Sequence, residues 1–256
     1  MAKLTPVPSL VALMGRIAKP VLPASLYRSI GDAVRGNKAP SLGQVDMGDL
    51  ARARPIGDHF GYDRGTPVDR WYIERFLASH ADDISGRVLE IGDAGYSRRF
   101  GRGITRQDVL HLNEGNAEAT IIGDLTQDGL LPGAAFDCLV ITQTLQFIYD
   151  TRQAVAELKR SLAPNGVLLL TVPGVSSVDR GEWKDCWFWS LTEQSARRMF
   201  EEEFGAGNVE ITAHGNVYSA ICFLHGLAFE EIDSDLLRND DPAYPMVICV
   251  RALRGG

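Results

Sequence analysis

The sequence predicts an α/β fold with a mostly parallel, doubly wound sheet, preceded by a helical extension. From residue 87 onward, strand-sized apolar runs alternate with longer segments in which apolar residues recur at helical spacing. These short runs are almost continuously apolar, as expected for parallel strands that helices cover on both faces. The alternation itself indicates crossover helices between parallel strands.

The extension is predicted to span residues 1–80 and the sheet domain residues 81–256. Six basic side chains and one acidic side chain lie in the first forty residues, although the whole chain has a formal net charge of −7. Apolar residues at helical spacing predict two short helices over residues 8–35. We expect these helices to pack on the domain, to pair with a second copy as a homodimer, or to lie on a membrane surface, because basic and apolar faces coexist.

A further helix is predicted to start at Thr66 and to end near His80. Thr66 is a suitable N-cap, Pro67 suits the first helical position, and Asp69 places an anion in the first turn, where the helix dipole favours it. The segment of residues 60–70, which leads into this helix, is expected to close over a ligand site as a lid.

The elements of the sheet domain follow in chain order. Strands are predicted at residues 87–91, 109–112, 119–122, 138–142 and 167–172, with a helix at residues 150–162 and a turn at residues 164–166. A capping box at residues 190–193 predicts a helix that ends near Phe204. A strand at residues 209–212, an apolar segment at 217–229 and a last strand at 246–253 complete the domain.

Composition and charge exclude several classes of function. No apolar run approaches the ~20 residues needed to cross a bilayer, and no cleavable secretion signal is visible, so we expect a cytoplasmic protein without stable membrane insertion. The negative net charge argues against a nucleic-acid binder. The four cysteines are widely spaced without a CxxC pair, which argues against a zinc site or a disulfide framework. No metal site is predicted.

Candidate binding residues stand where the predicted strands end. In open parallel sheets, ligands bind beyond the carboxyl ends of the strands. The turn after the first strand has Gly92 and Gly95 but lacks two glycines of the dinucleotide fingerprint G-x-G-x-x-G, so a nicotinamide site is a minor alternative. Glu90 is unexpected inside an apolar strand unless nearby groups donate hydrogen bonds to it.

Four motifs in the expected order resemble the class I S-adenosylmethionine-dependent methyltransferases. They are Val88-Leu89-Glu90-Ile91-Gly92, Gly123-Asp124, Phe136-Asp137, and the run from Leu158 to Gly166. The likeness covers residues 85–175 and is nearest to the small-molecule branch. Residues 60–70 are similar to an element of methyltransferases associated with glycosyltransferase and natural-product pathways. The resemblance implies a Rossmann-like fold with an antiparallel last strand, S-adenosyl-L-methionine as cofactor, and methyl transfer to an oxygen of a sugar or natural product.

The resemblance also implies roles for individual residues. The turn of Glu90, Gly92, Asp93 and Gly95 matches the motif that lies against the methionine part of the cofactor. Asn113 or Glu114 is expected on the ribose hydroxyls, Asp124 on the adenine amino group and Leu125 beside the ring. Gln143 and Thr144 are expected to face the sulfonium and the substrate. In the lid, Tyr62 is assigned to the cofactor site, and Arg64 is expected to bind an anion through a forked contact or to form a structural salt bridge with Asp63 or Asp69.

Each assignment has a structural alternative. Glu90 could cap loop amides, Asp124 could serve a turn, and Ala94 fits in place of the second glycine only if its φ is negative. Trp183 and Trp187 form either a satellite core or an aromatic wall for the acceptor.

The catalytic base is the least defined residue of the predicted site. Where many relatives have a histidine after the fourth strand, this chain has Phe147. His214 and His59 are the candidate bases for an alcohol acceptor, since a neutral imidazole accepts a proton at neutral pH. His214 could instead donate to a carbonyl in a turn.

Two other functions remain as alternatives. One is a cofactor-free, methyltransferase-like partner or structural protein, because the glycine motif is incomplete. The other is a nicotinamide-dependent enzyme. The preferred partner is a small-molecule acceptor.

Overall fold

A computed structural model describes residues 39–256 of the chain. The helices predicted over residues 8–35 lie outside the described residues. The chain divides into two compact units, residues 1–52 and 53–256. The described part of the first unit contains one short 3-10 helix, Gly48–Leu50. Residues 53–80, which the sequence analysis placed with the extension, belong to the second unit, so the division falls earlier than residue 80.

The second unit is built on a seven-stranded sheet. The strands are β1 Gly86–Ile91, β2 Ile104–His111, β3 Ile121–Ile122, β4 Phe136–Thr142, β5 Leu162–Pro173, β6 Val209–His214 and β7 Val247–Leu253. Their order in the sheet is β3-β2-β1-β4-β5-β7-β6. β7 runs antiparallel to both of its neighbours, and the other pairs are parallel. This confirms the predicted Rossmann-like sheet with an antiparallel last strand.

The strand order reverses between β1 and β4. From this point β2 and β3 extend the sheet to one side, and β5, β7 and β6 extend it to the other. Connections on either side of such a switch point leave in opposite directions, which opens a crevice beyond the carboxyl ends of the strands. The fold therefore places the ends of β1 and β4 at the position where a ligand site is expected.

Helices cover both faces of the sheet. They are α1 Val68–Ser79, α2 Gly95–Phe100, α3 Thr151–Ser161, α4 Glu193–Phe204 and α5 Val217–Leu224. Along β4, Leu139 belongs to the core that contains Leu158 of α3 and Phe200 of α4, whereas Val140 belongs to the core that contains Ile73 of α1. Consecutive residues of a strand point to opposite faces, so apolar residues at every position supply two cores. Within residues 39–256, no helix is long and apolar enough to span a membrane.

Two predicted helix caps differ from the structure. Pro67, not Thr66, occupies the N-cap position of α1. Thr66 instead donates to Glu230, through its backbone N–H at 3.0 Å and its hydroxyl at 2.7 Å. At α4 the cap is Thr192, whose capping partner is Ser195. At α1 the Glu230 carboxylate thus competes successfully for the side chain that the pattern selected.

Two strands are longer than the apolar pattern predicts. β2 starts at Ile104 because its polar half is internally paired: the Asp108 carboxylate accepts hydrogen bonds from Arg87, Arg106 and Thr120. β5 includes the predicted turn at residues 164–166, where Asn165 has φ +63° and the pairing with β4 shifts register. Paired charges and a bulge both lengthen a strand beyond its apolar run.

Candidate functional site

Three adjoining cavities open at the carboxyl ends of β1 and β4. We name them the α2 cavity (about 610 Å³), beside α1 and α2; the β2 cavity (about 480 Å³), beside the ends of β2 and β3; and the aromatic cavity (about 280 Å³), walled by aromatic rings. Gln143, the residue after β4, lines all three. Its φ of +47° is unusual for a residue with a side chain and turns the chain at this edge. The predicted contact residue Gln143 thus stands where the cavities meet.

Glu90 fixes the turn between β1 and α2. It is 3% exposed, and its two carboxylate oxygens accept the backbone N–H groups of Tyr96 (3.0 Å) and Ser97 (2.9 Å). Burial raises the pKa of Glu90, and these hydrogen bonds oppose the shift. The carboxylate therefore has the helix-capping role that the sequence left open, and it also lines the α2 cavity.

The glycine turn leaves open space at Gly92. Gly92 has φ +83°, and a Cβ added there would have no atom within 4 Å. The Asp93 carboxylate accepts the N–H of Gly95 at 2.6 Å, which holds the turn. Ala94 has φ −113°, so this position does not require a glycine. The substitution that weakened the glycine motif is therefore compatible with the geometry of the turn.

Arg70 on α1 is a partly buried cation that lines the α2 cavity. Its Nε donates to the Tyr62 hydroxyl at 2.9 Å and its Nη1 to the Tyr96 hydroxyl at 3.0 Å. Burial alone would lower the pKa of Arg70, but the charge of Asp69 and the two hydroxyls outweigh it and raise the pKa. The guanidinium thus stays charged beside an open cavity, which suits an anionic ligand group.

Arg64, the cation predicted from the sequence to bind an anion, lies outside the three cavities. Its Nε donates to Glu231 Oε2 at 2.8 Å and its Nη2 to the other oxygen of the same carboxylate. The hydrogen bonds from Arg64 and the Ala228 N–H lower the pKa of Glu231 to about 2. Arg64 lines none of the three cavities, so the structure replaces its predicted contact with a ligand by a salt bridge, whose partner is neither Asp63 nor Asp69.

The β2 cavity contains both residues predicted for the adenine, Asp124 and Leu125. Asp124 lines it, and its Oδ1 accepts the N–H and the hydroxyl of Thr126 at 2.8 and 2.9 Å. Its Oδ2 has no hydrogen-bond partner among the residues described here. Gly92, Leu125, Thr144 and Phe147 also line this cavity. Asp124 therefore serves the turn with one oxygen and leaves the other for a ligand.

Asn113 and Glu114 are exposed and line none of the cavities. The Asn113 side chain instead accepts the N–H of Gly115 at 3.0 Å. At the end of β2 the cavity is lined by His111 and Leu112. The predicted carboxylate for the ribose, Glu114, is therefore not placed against the cavity, since β2 ends at His111, three residues before it.

The aromatic cavity brings together the predicted lid and both predicted tryptophans. Phe60 stacks on Trp187 with ring centres 5.8 Å apart, and Phe147 packs against Trp183 at 5.0 Å and edge-on against Trp187 at 5.2 Å. Tyr62 and Phe223 complete the wall. The rings pack on one another and also line open space, so the geometry is compatible with both of the roles considered for the cluster.

Two of the polar residues that line this cavity are buried. Asp69 is 7% exposed and Gln146 is 3% exposed. Burial raises the pKa of Asp69, and the Arg70 charge opposes the shift. From the sequence, Asp69 was expected at a helix start or in a salt bridge with Arg64, and neither Gln146 nor Arg70 was a candidate site residue. The adjacent acidic and basic residues at the start of a helix are the sequence feature by which Asp69 and Arg70 could have been selected as site residues.

The two predicted histidine bases lie outside the cavities. His59 is exposed and lines none of them. His214 is the last residue of β6; its Nδ1 lies 2.9 Å from an Asp240 carboxylate oxygen, and its ring stacks on Tyr72. β6 is three strands from β4, about 14 Å at ordinary strand spacing. The structure therefore gives His214 a carboxylate partner at the sheet edge and does not place it against an acceptor.

Metal ligands do not cluster in the part of the chain that the structure describes. Among residues 39–256, no group of three or more His, Cys, Asp or Glu side chains could hold a metal ion.

Comparisons with known proteins give one family match. A family model described as a methyltransferase domain matches residues 105–170. No curated protein matches the chain.

Solved structures with a similar fold include a SAM dependent methyltransferase from Archaeoglobus fulgidus (13% identity, TM-score 0.47, covering 72% of this chain and 94% of that one). Another is an S-adenosylmethionine dependent methyltransferase from Mesorhizobium loti (15%, 0.46, 73% and 100%). A third is phosphoethanolamine N-methyltransferase 2 from Haemonchus contortus in complex with S-adenosyl-L-methionine (16%, 0.48, 82% and 55%).

Proposed function

We propose that this protein transfers a methyl group from S-adenosyl-L-methionine to an oxygen of a small molecule of the sugar or natural-product class. The observation that carries the proposal is the set of three cavities around Gln143 at the switch point of the sheet. A reaction that joins an amino acid group, a nucleoside and an acceptor needs three such compartments with a common wall. The match of residues 105–170 to a methyltransferase domain supports the same chemistry.

The residues present fit this cofactor. In the α2 cavity, the Arg70 guanidinium suits the carboxylate of the methionine part, and the acidic Glu90 and Asp93 suit its ammonium group. In the β2 cavity, apolar Leu125 suits a base ring, and the free oxygen of Asp124 suits an exocyclic amino group. The open space at Gly92 lets the backbone approach a ligand closely.

The protein has little covalent chemistry to perform in such a reaction. When bound, the cofactor supplies a methyl group that its sulfonium already activates. The chain must hold the acceptor atom in line with that methyl group and exclude water, which accounts for a large part of the rate in bimolecular reactions. The aromatic rings around Trp183 and Trp187 exclude water on the acceptor side, and Gln143 joins that side to the cofactor side.

Calorimetric titration of the purified protein with S-adenosylhomocysteine and S-adenosylmethionine tests the cofactor. We expect saturable binding of both, and no binding of NAD or NADP under the same conditions. A protein that binds neither sulfur compound at millimolar concentration is not the proposed enzyme, and the cofactor-free alternative then holds. Binding of NAD or NADP instead identifies a nicotinamide-dependent protein.

Labelled methyl transfer tests the acceptor atom. S-adenosylmethionine with a ¹³C-methyl group is incubated with the protein and fractionated cell extract, and the carbon shift of the product distinguishes O–CH₃ from N–CH₃. A new O–CH₃ resonance is expected. An N–CH₃ resonance keeps the methyl transfer and overturns the assignment to oxygen.

A further inference from the structure

Two residues that line the aromatic cavity each have a buried side-chain oxygen without a hydrogen-bond partner among the described residues. The atoms are Oδ1 of Asp69 and Oε1 of Gln146, and the two residues are 93% and 97% buried. Buried polar atoms in folded proteins are nearly always paired, and leaving one unpaired costs about 1–3 kcal/mol. The third such atom among the described residues, His225 Nδ1, does not line this cavity. Two unpaired acceptors in one small cavity point to a ligand that supplies two donors.

Asp69 receives charge but no side-chain hydrogen bond from Arg70. Arg70 Nε lies 3.8 Å from Asp69 Oδ1, beyond hydrogen-bond reach, because Nε and Nη1 are directed to the hydroxyls of Tyr62 and Tyr96. The adjacent positive charge stabilises the carboxylate in its ionised form, and its accepting capacity remains unused. The position is therefore held ready for an external donor.

Gln146 is fixed with its carbonyl oxygen free. Its Nε2 donates to the backbone oxygen of Gln143 at 3.0 Å. Because this contact needs a donor, it identifies the amide nitrogen and leaves Oε1 on the other side. Its own backbone oxygen accepts the N–H groups of Phe188 and Trp189, which anchors the residue at both ends. Oε1 is thus a rigid acceptor in the same cavity as Asp69.

The rest of the cavity favours a neutral ligand with an apolar face. Besides Asp69, its charged residues are Arg70, which balances Asp69, and Asp179, whose carboxylate accepts the N–H of Trp183 at 2.8 Å. Flat rings of Phe60, Trp183 and Trp187 form the walls. A volume of about 280 Å³ is at the small end of ligand sites and suits a single ring.

We propose that the aromatic cavity binds a neutral ring compound through two neighbouring hydroxyl groups, one donating to Asp69 and the other to Gln146. The C–H face of the ring packs on the aromatic wall. This assignment of the acceptor class rests on the proposed methyl transfer for its biological meaning, but the binding itself does not require the cofactor. Sugars and other cyclic polyols share the required chemistry.

Four small probes test the recognition directly. They are 1,2-cyclohexanediol, 1,4-cyclohexanediol, cyclohexanol and cyclohexylammonium, which share a ring and differ in the number, spacing and charge of their donors. Binding is followed by saturation-transfer NMR and tryptophan fluorescence, with and without S-adenosylhomocysteine. We expect 1,2-cyclohexanediol to bind at least tenfold more tightly than the other three. Equal affinity for all rings, preference for the ammonium probe, or no saturable binding overturns the proposal.

Variants of the two acceptors test the named residues. Asp69→Asn and Gln146→Leu should each lower the affinity for 1,2-cyclohexanediol about tenfold, since each variant loses one hydrogen bond. The affinity for cyclohexanol should stay nearly unchanged. Matched controls are Asp235→Asn, an exposed carboxylate paired with Arg238, and Gln194→Leu, an exposed glutamine on α4. If Asp69→Asn and Gln146→Leu keep the wild-type diol affinity, the recognition is wrong.

Titration with S-adenosylhomocysteine separates the two proposals. Wild-type protein that prefers the diol but does not bind S-adenosylhomocysteine keeps the recognition and overturns the proposed function. Protein that binds S-adenosylhomocysteine without any diol preference keeps the proposed function and overturns the recognition.

Discussion

A single added carbon at Gly92 reaches into open space that the proposed cofactor would fill. Gly92→Ala should therefore abolish binding of S-adenosylhomocysteine, measured by calorimetry. Its positive φ also strains the alanine backbone, so a matched control is needed. Gly103→Ala supplies it, because Gly103 has φ +62°, also has no atom within 4 Å of an added Cβ, and lines none of the cavities. If Gly92→Ala binds S-adenosylhomocysteine as tightly as wild type, the cofactor does not bind against this turn.

Asp124 offers one carboxylate oxygen to the β2 cavity. Asp124→Ala should weaken the binding of S-adenosylhomocysteine by about 1–3 kcal/mol, the usual loss for a hydrogen bond to a charged group. The variant also loses the turn that Asp124 holds with Thr126. Thr126→Val removes one of those turn contacts and leaves the carboxylate, so it should bind S-adenosylhomocysteine nearly as well as wild type. Equal losses in both variants would assign Asp124 to the turn alone.

Asp69 is the group in the aromatic cavity best placed to receive a hydroxyl proton. It lines that cavity, has a raised pKa and accepts no hydrogen bond at Oδ1, whereas His59 and His214 lie outside the cavities. With the acceptor found by labelled transfer, Asp69→Asn should lower the turnover number by ~10²–10⁴ at saturating substrates. His59→Ala and His214→Ala should stay within a few-fold of wild type. A large loss in either histidine variant with little loss in Asp69→Asn would reverse the assignment.

Residues near strand ends were easier to place beside the cavities than a residue that reaches them from outside the sheet. Glu90, Gly92, Asp124 and Gln143 stand at or just after strand ends, and parallel strands bring their ends to one edge. Arg70 lies in the first turn of α1, before the sheet begins, so the local pattern gives no indication of which cavity it faces. His214 lies outside the cavities because its distance from β4 depends on the strand order, which the sequence does not show.

Residues 57–67, which overlap the predicted lid of residues 60–70, are held by two consecutive glutamates. Arg64 pairs with Glu231, and Thr66 donates twice to Glu230. Arg64→Lys keeps the charge but loses the fork. We expect faster amide hydrogen exchange over residues 57–67 in Arg64→Lys and in Glu231→Gln, read by mass spectrometry. Arg238→Lys, in a similar exposed pair with Asp235, should leave that segment unchanged. Unaltered exchange in all three variants would show that the backbone contacts alone hold the lid.

Acid should release the same contact. The folded pKa of Glu231 is about 2, below its ordinary value of 4.5, so the carboxylate favours the folded lid. This contribution is complete above pH 4.5 and is lost as the pH falls toward 2. In wild type, protection of residues 57–67, corrected for intrinsic exchange, should fall over this window. Glu231→Gln should be less protected at neutral pH and lack this step.

Element boundaries were predicted where apolar runs decide them and were missed where polar pairs do. The central strands β1 and β4 lie close to their predicted limits because each residue there faces one of two cores. β2 extends through a charged half that only its partners Arg87 and Thr120 make compatible with burial. These partners cannot be identified from the sequence, because they depend on which strands lie beside β2.

For the whole molecule, a ligand that binds only the folded chain must raise its stability. At a concentration of S-adenosylhomocysteine about 100 times its dissociation constant, the gain is about 2.7 kcal/mol. For a domain of this size, that corresponds to a rise in the melting temperature of about 5–10 °C. Scanning calorimetry should show this rise in wild type and in Gly103→Ala, and none in Gly92→Ala. A melting temperature that does not move in wild type would contradict cofactor binding.

The fold class followed from the sequence because alternation and apolar strands are properties of the whole chain. The position of α1 did not follow, since nothing in residues 68–79 shows that they belong to the sheet domain and not to an extension. Its buried side chains, among them Tyr72 and Ile73, are part of one of the two cores. The same helix carries Asp69 and Arg70, so assigning it to the extension also concealed two site residues.

Gln143 forms a wall of all three cavities, and this shared wall has a thermodynamic consequence. If a ligand in one cavity shifts the Gln143 backbone, the shape of the neighbouring cavities changes as well. The affinities of the two reactants are then linked, and linkage is reciprocal: if one reactant tightens the other by some factor, it is tightened by that same factor. Gln146 belongs to the same unit, because its amide is held by the Gln143 carbonyl. Order of addition would therefore alter the rate of approach to the ternary complex and leave its stability unchanged.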